Sequence, residues 1–259
     1  MCPREGEFQD LAAPPDPAAK LALTAVIEPF DSFWEGPEDV ESGYERFYRF
    51  YAANYLPHVP EERGSRILVV SCGPGYLNET LRRHGYRDVV GIDSFPEKVE
   101  HGRRRGLDCR VERAFPFLAS HRECFEAILC EQELNHLTKE EILVFLRLCH
   151  ESLVPGGTLV VFALNGANPI TGAEALAQNF DHYNTFTEYT LRQVLEYAGF
   201  ERVRLIPLHL YVFYRNPANY LAWAAASLLH FAFRMLFRLY GKSASIFTKK
   251  LAAACVKPL

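Results

Sequence analysis

The sequence predicts an α/β fold, a doubly wound and mostly parallel sheet with helices on both faces, and three observations carry that prediction. Short apolar runs recur at Arg66–Ser71 (RILVVS), Asp88–Asp93, Phe125–Cys130 and Thr158–Leu164 (TLVVFAL), the first without any polar alternation, as a strand covered on both faces requires. Stretches with helical spacing alternate with these runs, the pattern of strand, crossover helix and parallel strand. A turn of small residues, Ser71-Cys72-Gly73-Pro74-Gly75, ends the first run just before a helix, where open α/β sheets bind ligands.

The remaining elements follow in order. Helices are expected at Tyr76–His84 and Pro96–Arg105, with strands at Leu107–Glu112 and Phe125–Cys130. Lys139–Leu153 carries Ile142, Phe145, Leu146 and Cys149 on one helical face, and Pro155-Gly156-Gly157 reads as its stop. After the strand at Thr158–Leu164 come a loop, a helix at Thr187–Ala198 ended by Gly199, and an apolar strand region at Val203–Phe213. A long helix at Pro217–Tyr240 and a last strand at Phe247–Val256 complete the domain, which spans residues 65–259. Residues 1–29, with Pro3, Pro14, Pro15 and Pro17, read as a mobile tail. Residues 30–64 are rich in aromatics, and Tyr44, Phe47, Tyr48, Tyr51 and Tyr55 share a helical face; this is either a helix packed on the body or a lid over a ligand. There is no internal repeat.

A chain of 259 residues with 49% hydrophobic and 23% charged content excludes a disordered chain and a small disulfide-stapled module. The seven cysteines form no Cys-x-x-Cys and no zinc spacing, so a reduced, cytoplasmic protein without a metal is expected. The N-terminus lacks the apolar core of a secretory signal. A net charge of −4 gives no reason to expect nucleic acid as a partner. The charge is uneven, however: residues 201–259 hold nine Lys+Arg and one acid, whereas the first 200 hold 19 and 31. Within the basic quarter, helix 217–240 is apolar but carries His230, Arg234 and Arg238 at every fourth position. That helix is either a peripheral contact with the inner face of an anionic membrane, or a cover for the sheet or an acceptor pocket, or a homodimer contact.

The turn at 71–75 is the most informative segment. Its small residues let a cofactor approach the backbone, and Asp93, ending the next strand, can accept both hydroxyl protons of a ribose. The third glycine of the dinucleotide fingerprint is replaced by Asn78, and no Walker-type Gly-Lys-Ser/Thr follows. Both NAD and a P-loop nucleotide are therefore disfavoured, which leaves another nucleoside cofactor.

On these residues the chain resembles the class I S-adenosylmethionine-dependent methyltransferases. ILVVSCGPG (Ile67–Gly75) is similar to their glycine motif and VVGIDSFPEKVE (Val89–Glu100) to their acidic motif. FEAILCEQELNHLTKEEI (Phe125–Ile142) and LVPGGTLVVF (Leu153–Phe162) resemble the fourth- and fifth-strand segments. Within the family, Asn165–Phe200 resembles a bacterial branch acting on surface glycans and lipid-linked molecules. The resemblance implies a Rossmann-like sheet of seven strands in the order 3-2-1-4-5-7-6 with an antiparallel last strand. It also implies S-adenosyl-L-methionine as cofactor, held by Ser71, Cys72, Gly73, Gly75, Asp93, Ser94, Ala114 and Gln132. The implied reaction is O-methylation of a glycan, lipid-linked or other small-molecule hydroxyl.

Where the acceptor is a hydroxyl, a base removes its proton, and histidine suits that task near neutrality. His182 and His136 are the catalytic candidates by position. Asp181 could orient His182, and the alternative roles are a loop histidine bonded to backbone and a cap for the helix starting near Thr138. The family's usual acid two residues before the motif's first glycine is Val69, and that glycine is Ser71. The third-strand acid is replaced near Glu112-Arg113-Ala114, and the fourth-strand Asp-x-x-Glu-His pattern reads Gln132-Glu133-Leu134-Asn135-His136, with Asn135 in place of the second acid. These departures motivate an alternative: a catalytically degenerate relative that binds a ligand or protein partner.

Overall fold

The computed structural model describes residues 37–130, 133–177, 182–208 and 216–259. The proposed tail, the aromatics Phe30, Phe33 and Trp34, the candidates Gln132 and Asp181, and the end of the Val203–Phe213 strand region lie outside these residues. Seven strands form one sheet: β1 (Arg66–Val70), β2 (Asp88–Asp93), β3 (Asp108–Val111), β4 (Phe125–Cys130), β5 (Leu153–Leu164), β6 (Glu201–Pro207) and β7 (Lys250–Val256). Their order is β3-β2-β1-β4-β5-β7-β6, and among the paired strands only β7 runs antiparallel to its neighbours. The expected architecture is therefore the observed one.

Helices cover both faces. On one side lie α1 (Pro37–Arg46), α2 (Tyr48–Asn54), α3 (Tyr76–Arg83) and α4 (Pro96–Arg104). On the other lie α5 (Ala114–Ser120), α6 (Lys139–Ser152) and α8 (Glu188–Tyr197), with α7 (Glu174–Ala177) a single turn in the loop before α8. The long α9 (Ala218–Leu239) stands apart. Strand β1 shows how one run serves two cores. Leu68 and Val70 join Phe117, Phe145, Leu191 and their neighbours, while Ile67 and Val69 join Tyr51, Leu77 and Leu81, because successive side chains point to opposite faces. Val69, which stands where the family carries an acid, is fully buried in the second of these cores.

Two features differ from expectation. Helix α5 has no counterpart in the predicted order, since it is seven residues long and contains Pro116. Pro116 sits in the first turn, where an amide hydrogen has no intrahelical partner to lose. The Pro155-Gly156-Gly157 sequence is not a spacer between helix and strand. It lies inside β5, which begins at Leu153; Gly156 adopts φ +78° and its amide donates to the Lys257 carbonyl at 3.0 Å, a pairing with a residue a hundred positions away.

The aromatic segment forms α1 and α2, whose rings pack on α3 and the sheet. Tyr76 meets Tyr44 edge to face with ring centroids 4.9 Å apart and stacks on Phe47 at 4.9 Å, and Tyr55 stacks on Phe162 of β5 at 3.8 Å.

Candidate functional site

The site is built at the carboxyl end of β1. Strand β1 gives way to a turn in which Ser71, Gly73 and Gly75 take positive φ of 58°, 53° and 83°. The two glycines serve different needs. A β-carbon on Gly73 would meet nothing within 4 Å, so the backbone there faces open space; one on Gly75 would lie 2.9 Å from Leu107 Cδ1 and 3.0 Å from Cys109 Sγ. Gly75 is thus a packing glycine at the N-cap of α3, and Gly73 is an approach glycine. Gly75→Ala is expected to lower stability by about 2 kcal/mol or more, from the left-handed φ and the collision together, read as a fall in the denaturant midpoint. Ser71 occupies the position of the family's glycine and keeps the left-handed backbone a glycine would adopt, so that departure leaves the turn's shape intact.

Asp93, at the end of β2 and 9% exposed, holds the turn in place. Its Oδ2 accepts from the Gly73 amide and its Oδ1 from the Phe95 amide, both at 2.9 Å. A carboxylate oxygen has two lone pairs, so one such group can both fix a turn and accept from vicinal hydroxyls. Ser94 is exposed beside it, and Ala114 is half-buried at the first turn of α5; the Glu112 amide donates to the Asp93 carbonyl at 3.0 Å. The carboxyl ends of β2 and β3 therefore meet at one mouth. Cys72 is buried below, its thiol donating to the Gly73 carbonyl at 3.6 Å, and a β-carbon on Gly91 would come within 2.8 Å of its Sγ. The neighbouring Cys109 thiol and burial push the Cys72 thiol well up, so it is a neutral packing group and not a nucleophile.

Helix α1 is latched to the same turn. The Tyr44 hydroxyl donates to the Pro74 carbonyl at 2.6 Å, and burial raises its pKa, so it stays a donor. Arg105 lies over the Tyr44 ring at 4.0 Å and pairs with Glu41 at 2.6 Å, while Arg83 pairs with Glu45 at 2.6 Å. Glu79, almost fully buried, faces Arg82, Arg83 and Arg105 at 2.8, 2.9 and 3.8 Å. Burial alone would raise its pKa, but hydrogen bonds from Arg82 and Arg83 hold the carboxyl below the usual range. A depressed folded pKa stabilises the fold above the unfolded value, and that contribution is lost as pH falls through the folded value. Thermal melts across acid pH should therefore show a drop that is shallower in Glu79→Gln, which is also less stable than the wild type at neutral pH.

The second part of the site follows β4 and β5. Asn135 is fully buried, its Oδ1 accepting from the Leu164 amide at 3.2 Å, while its own carbonyl accepts from the amides of Tyr183 at 2.8 Å and Asn184 at 3.3 Å. Asn184 Nδ2 donates in turn to the Leu137 carbonyl. This stitching brings His136 and His182 together, with ring centroids 4.8 Å apart and planes at 64°. His182 Nδ1 lies 2.7 Å from the Ala175 carbonyl. A carbonyl only accepts, so Nδ1 carries the hydrogen and the neutral ring has its lone pair on Nε2. The helix after His136 is not capped by that histidine: Thr138 and Glu141 form a reciprocal capping box.

Sequence reasoning missed two contributors. Tyr44 lies on the aromatic face that the spacing identifies, but its partner is thirty residues away. Asn135, read as a lost acidic residue, is the buried tie between the two histidine segments. Among the described residues no cluster of three His, Cys, Asp or Glu side chains could hold a metal.

Comparison with known proteins agrees with this geometry. A family model described as a methyltransferase domain matches residues 43–205. A ubiquinone biosynthesis O-methyltransferase of Xylella fastidiosa is 32% identical over 226 residues, covering 83% of this chain and 82% of the relative. Among solved structures, a SAM-dependent methyltransferase from Archaeoglobus fulgidus superposes with a TM-score of 0.61 at 18% identity, over 84% of this chain and 94% of that one. A phosphoethanolamine N-methyltransferase 2 from Haemonchus contortus, in complex with S-adenosyl-L-methionine, gives 0.59 at 14% identity, over 89% of this chain and 60% of that one. The open backbone at Gly73 and the anchored carboxylate of Asp93 fit a nucleoside cofactor, and the chain belongs to the class I S-adenosylmethionine-dependent methyltransferases.

Proposed function

We propose that the chain methylates a hydroxyl oxygen of a glycan, lipid-linked or other small-molecule acceptor, with His182 as the base. The observation that carries this reading is the hydrogen bond from His182 Nδ1 to the Ala175 carbonyl, which leaves Nε2 as the proton-accepting nitrogen. The O-methyltransferase names of the relatives support oxygen as the methylated atom. Bound S-adenosylmethionine supplies an electrophilic methyl carbon, and the protein's work is alignment and proton removal. In this reading Asp93 takes the ribose hydroxyls, the backbone at Ser71, Cys72 and Gly73 faces the cofactor, and Ser94 and Ala114 flank it. His136 is a positioning residue that sets the plane of the His182 ring. Helices α1 and α2 form the lid, and the Tyr44–Pro74 hydrogen bond ties its closure to the turn beneath.

The test is methyl transfer from radiolabelled S-adenosylmethionine to paired acceptors of one scaffold, one bearing a phenolic or sugar hydroxyl and the other an amine. An O-methyl product whose formation loses its acid limb in the pH–rate profile of His182→Gln supports the reading. A product methylated only on nitrogen, or a profile unchanged by the substitution, overturns it.

A further inference from the structure

Among the described residues, helix α9 is the one long helix that the fold does not bury. None of its 22 residues is buried, and Leu221, Leu228 and Leu239 are 76%, 71% and 81% exposed, with Tyr220, Phe231 and Leu236 also exposed. A soluble surface rarely presents so continuous an apolar face without a partner. The inner side of the helix is anchored at its C-terminal half. Phe233 and Phe237 pack on Phe247 with centroids 5.9 and 4.8 Å apart, and Arg234 Nη2 donates to the Ser245 carbonyl at 3.0 Å. Arg234 is thus committed inward, and the basic stripe expected from the four-residue spacing does not lie along the outer face.

The anchor also locates the helix relative to the chemistry. Phe247 belongs to a small cluster with Ala167 and Ala244, and its carbonyl accepts from Asn168 Nδ2 at 2.6 Å. Asn165 Nδ2 donates to the carbonyls of Ile246 and Thr248, each at 2.9 Å. Residues 165–168 directly follow the carboxyl end of β5, so α9 is bolted to the edge of the sheet that carries the candidate site. Because β7 is antiparallel, Lys250 pairs with Leu164 at that same edge, and Lys249 stands next to it. Arg238 and Lys242 are exposed at the end of the helix. From residue 202 onward the sequence has nine Lys+Arg and no Asp or Glu. Glu188, at the start of α8, is engaged by the Ser245 and Ile246 amides, each at 2.9 Å.

We propose that α9 docks the protein on the surface of an anionic phospholipid bilayer, lying in the interface with its outer apolar face in the acyl boundary. Arg238, Lys242 and Lys249 then face the headgroups. The helix is long and apolar enough to span, but its flanking strands β6 and β7 are hydrogen-bonded neighbours in one sheet. A single crossing would put them on opposite sides of the membrane, so the helix lies along the surface. Docking holds the carboxyl edge of the sheet against the lipid. That the acceptor is drawn from the membrane rests on the O-methylation reading; the docking itself does not.

The full chain is tested by flotation with vesicles of phosphatidylcholine alone or mixed with phosphatidylglycerol, with cofactor binding and thermal melting measured in parallel. Partition onto the mixed vesicles is expected to exceed that onto phosphatidylcholine by about tenfold or more and to weaken with salt. Leu221→Glu with Leu228→Glu should abolish partition, and Arg238→Glu with Lys242→Glu should cancel the lipid preference, with melting and cofactor affinity unchanged in both. Equal partition of wild type and variants overturns the proposal. So does a vesicle-indifferent dimer that Leu228→Glu dissociates, which would assign the face to a second copy. Resistance of the bound protein to alkaline carbonate overturns the in-plane geometry.

Discussion

Asp93→Ala should reduce affinity for S-adenosylmethionine at least a hundredfold, about 2.7 kcal/mol by the relation between affinity and free energy. Two losses combine. The carboxylate is the acceptor for the Gly73 and Phe95 amides, so its removal frees the turn that must stay open, and it is the group proposed to take the ribose hydroxyls. Hydrogen bonds to a charged acceptor contribute about 1.5–3 kcal/mol each, so losing those to the ribose alone accounts for the expected change. Asp93→Asn keeps one carbonyl oxygen but turns a hydrogen-donating amide NH2 toward one of the two backbone donors, and an intermediate affinity is expected. Titration calorimetry reads both, with a thermal melt to confirm that the variants fold. An alanine variant that binds within fivefold of wild type would remove Asp93 from the cofactor site.

His182→Gln should lower kcat by about 10² to 10⁴, the range for loss of a general base, while affinity for the cofactor stays within twofold. Glutamine preserves much of the side-chain reach but has no nitrogen that can take a proton. A purely structural histidine would produce a different pattern: a loss of melting temperature and a rise in KM, with the shape of the pH–rate profile unchanged. His136→Gln provides the comparison. It removes the ring set edge to face against His182 without removing the proton acceptor, so kcat should fall by about tenfold and the acid limb should persist.

What could be read from the sequence follows how local each cause is. Strands β2 and β4 match their expected bounds at both ends because each is a short, mainly apolar segment, DVVGID and FEAILC, whose last four residues are all buried. Helix α6 was legible for the same reason, through the spacing of Ile142, Phe145, Leu146 and Cys149, whereas its Thr138–Glu141 capping pair emerges only in the structure. Helix α5 was not, because Pro116 and its short length hide a helix held by Phe117 and Leu118 in the core. The start of β5 was obscured in another way: Pro-Gly-Gly has the composition of a stop, and only pairing with Lys257 makes it part of a strand. The cofactor half of the site was legible because a strand, a turn and an acid lie within 30 residues of one another. The meeting of His136 with His182 was not, since it depends on backbone bonds from Tyr183 and Asn184 to the Asn135 carbonyl, which no spacing encodes.

The position of β7 between β5 and β6 has a consequence for synthesis. Among the described residues strand β6 has no other partner in the sheet, so it waits with both edges unpaired until residues 250–256 arrive. During that interval the strands β1 to β5 can already be assembled, with β5 offering an open edge. Unpaired strand edges invite pairing with other chains, which makes this the interval of greatest aggregation risk as the chain leaves the ribosome. The segment made in that interval is α9, a helix able to form from its own residues before the sheet closes. The small residues of β7, Ala252, Ala253 and Ala254, then slot into a gap whose two walls are already built.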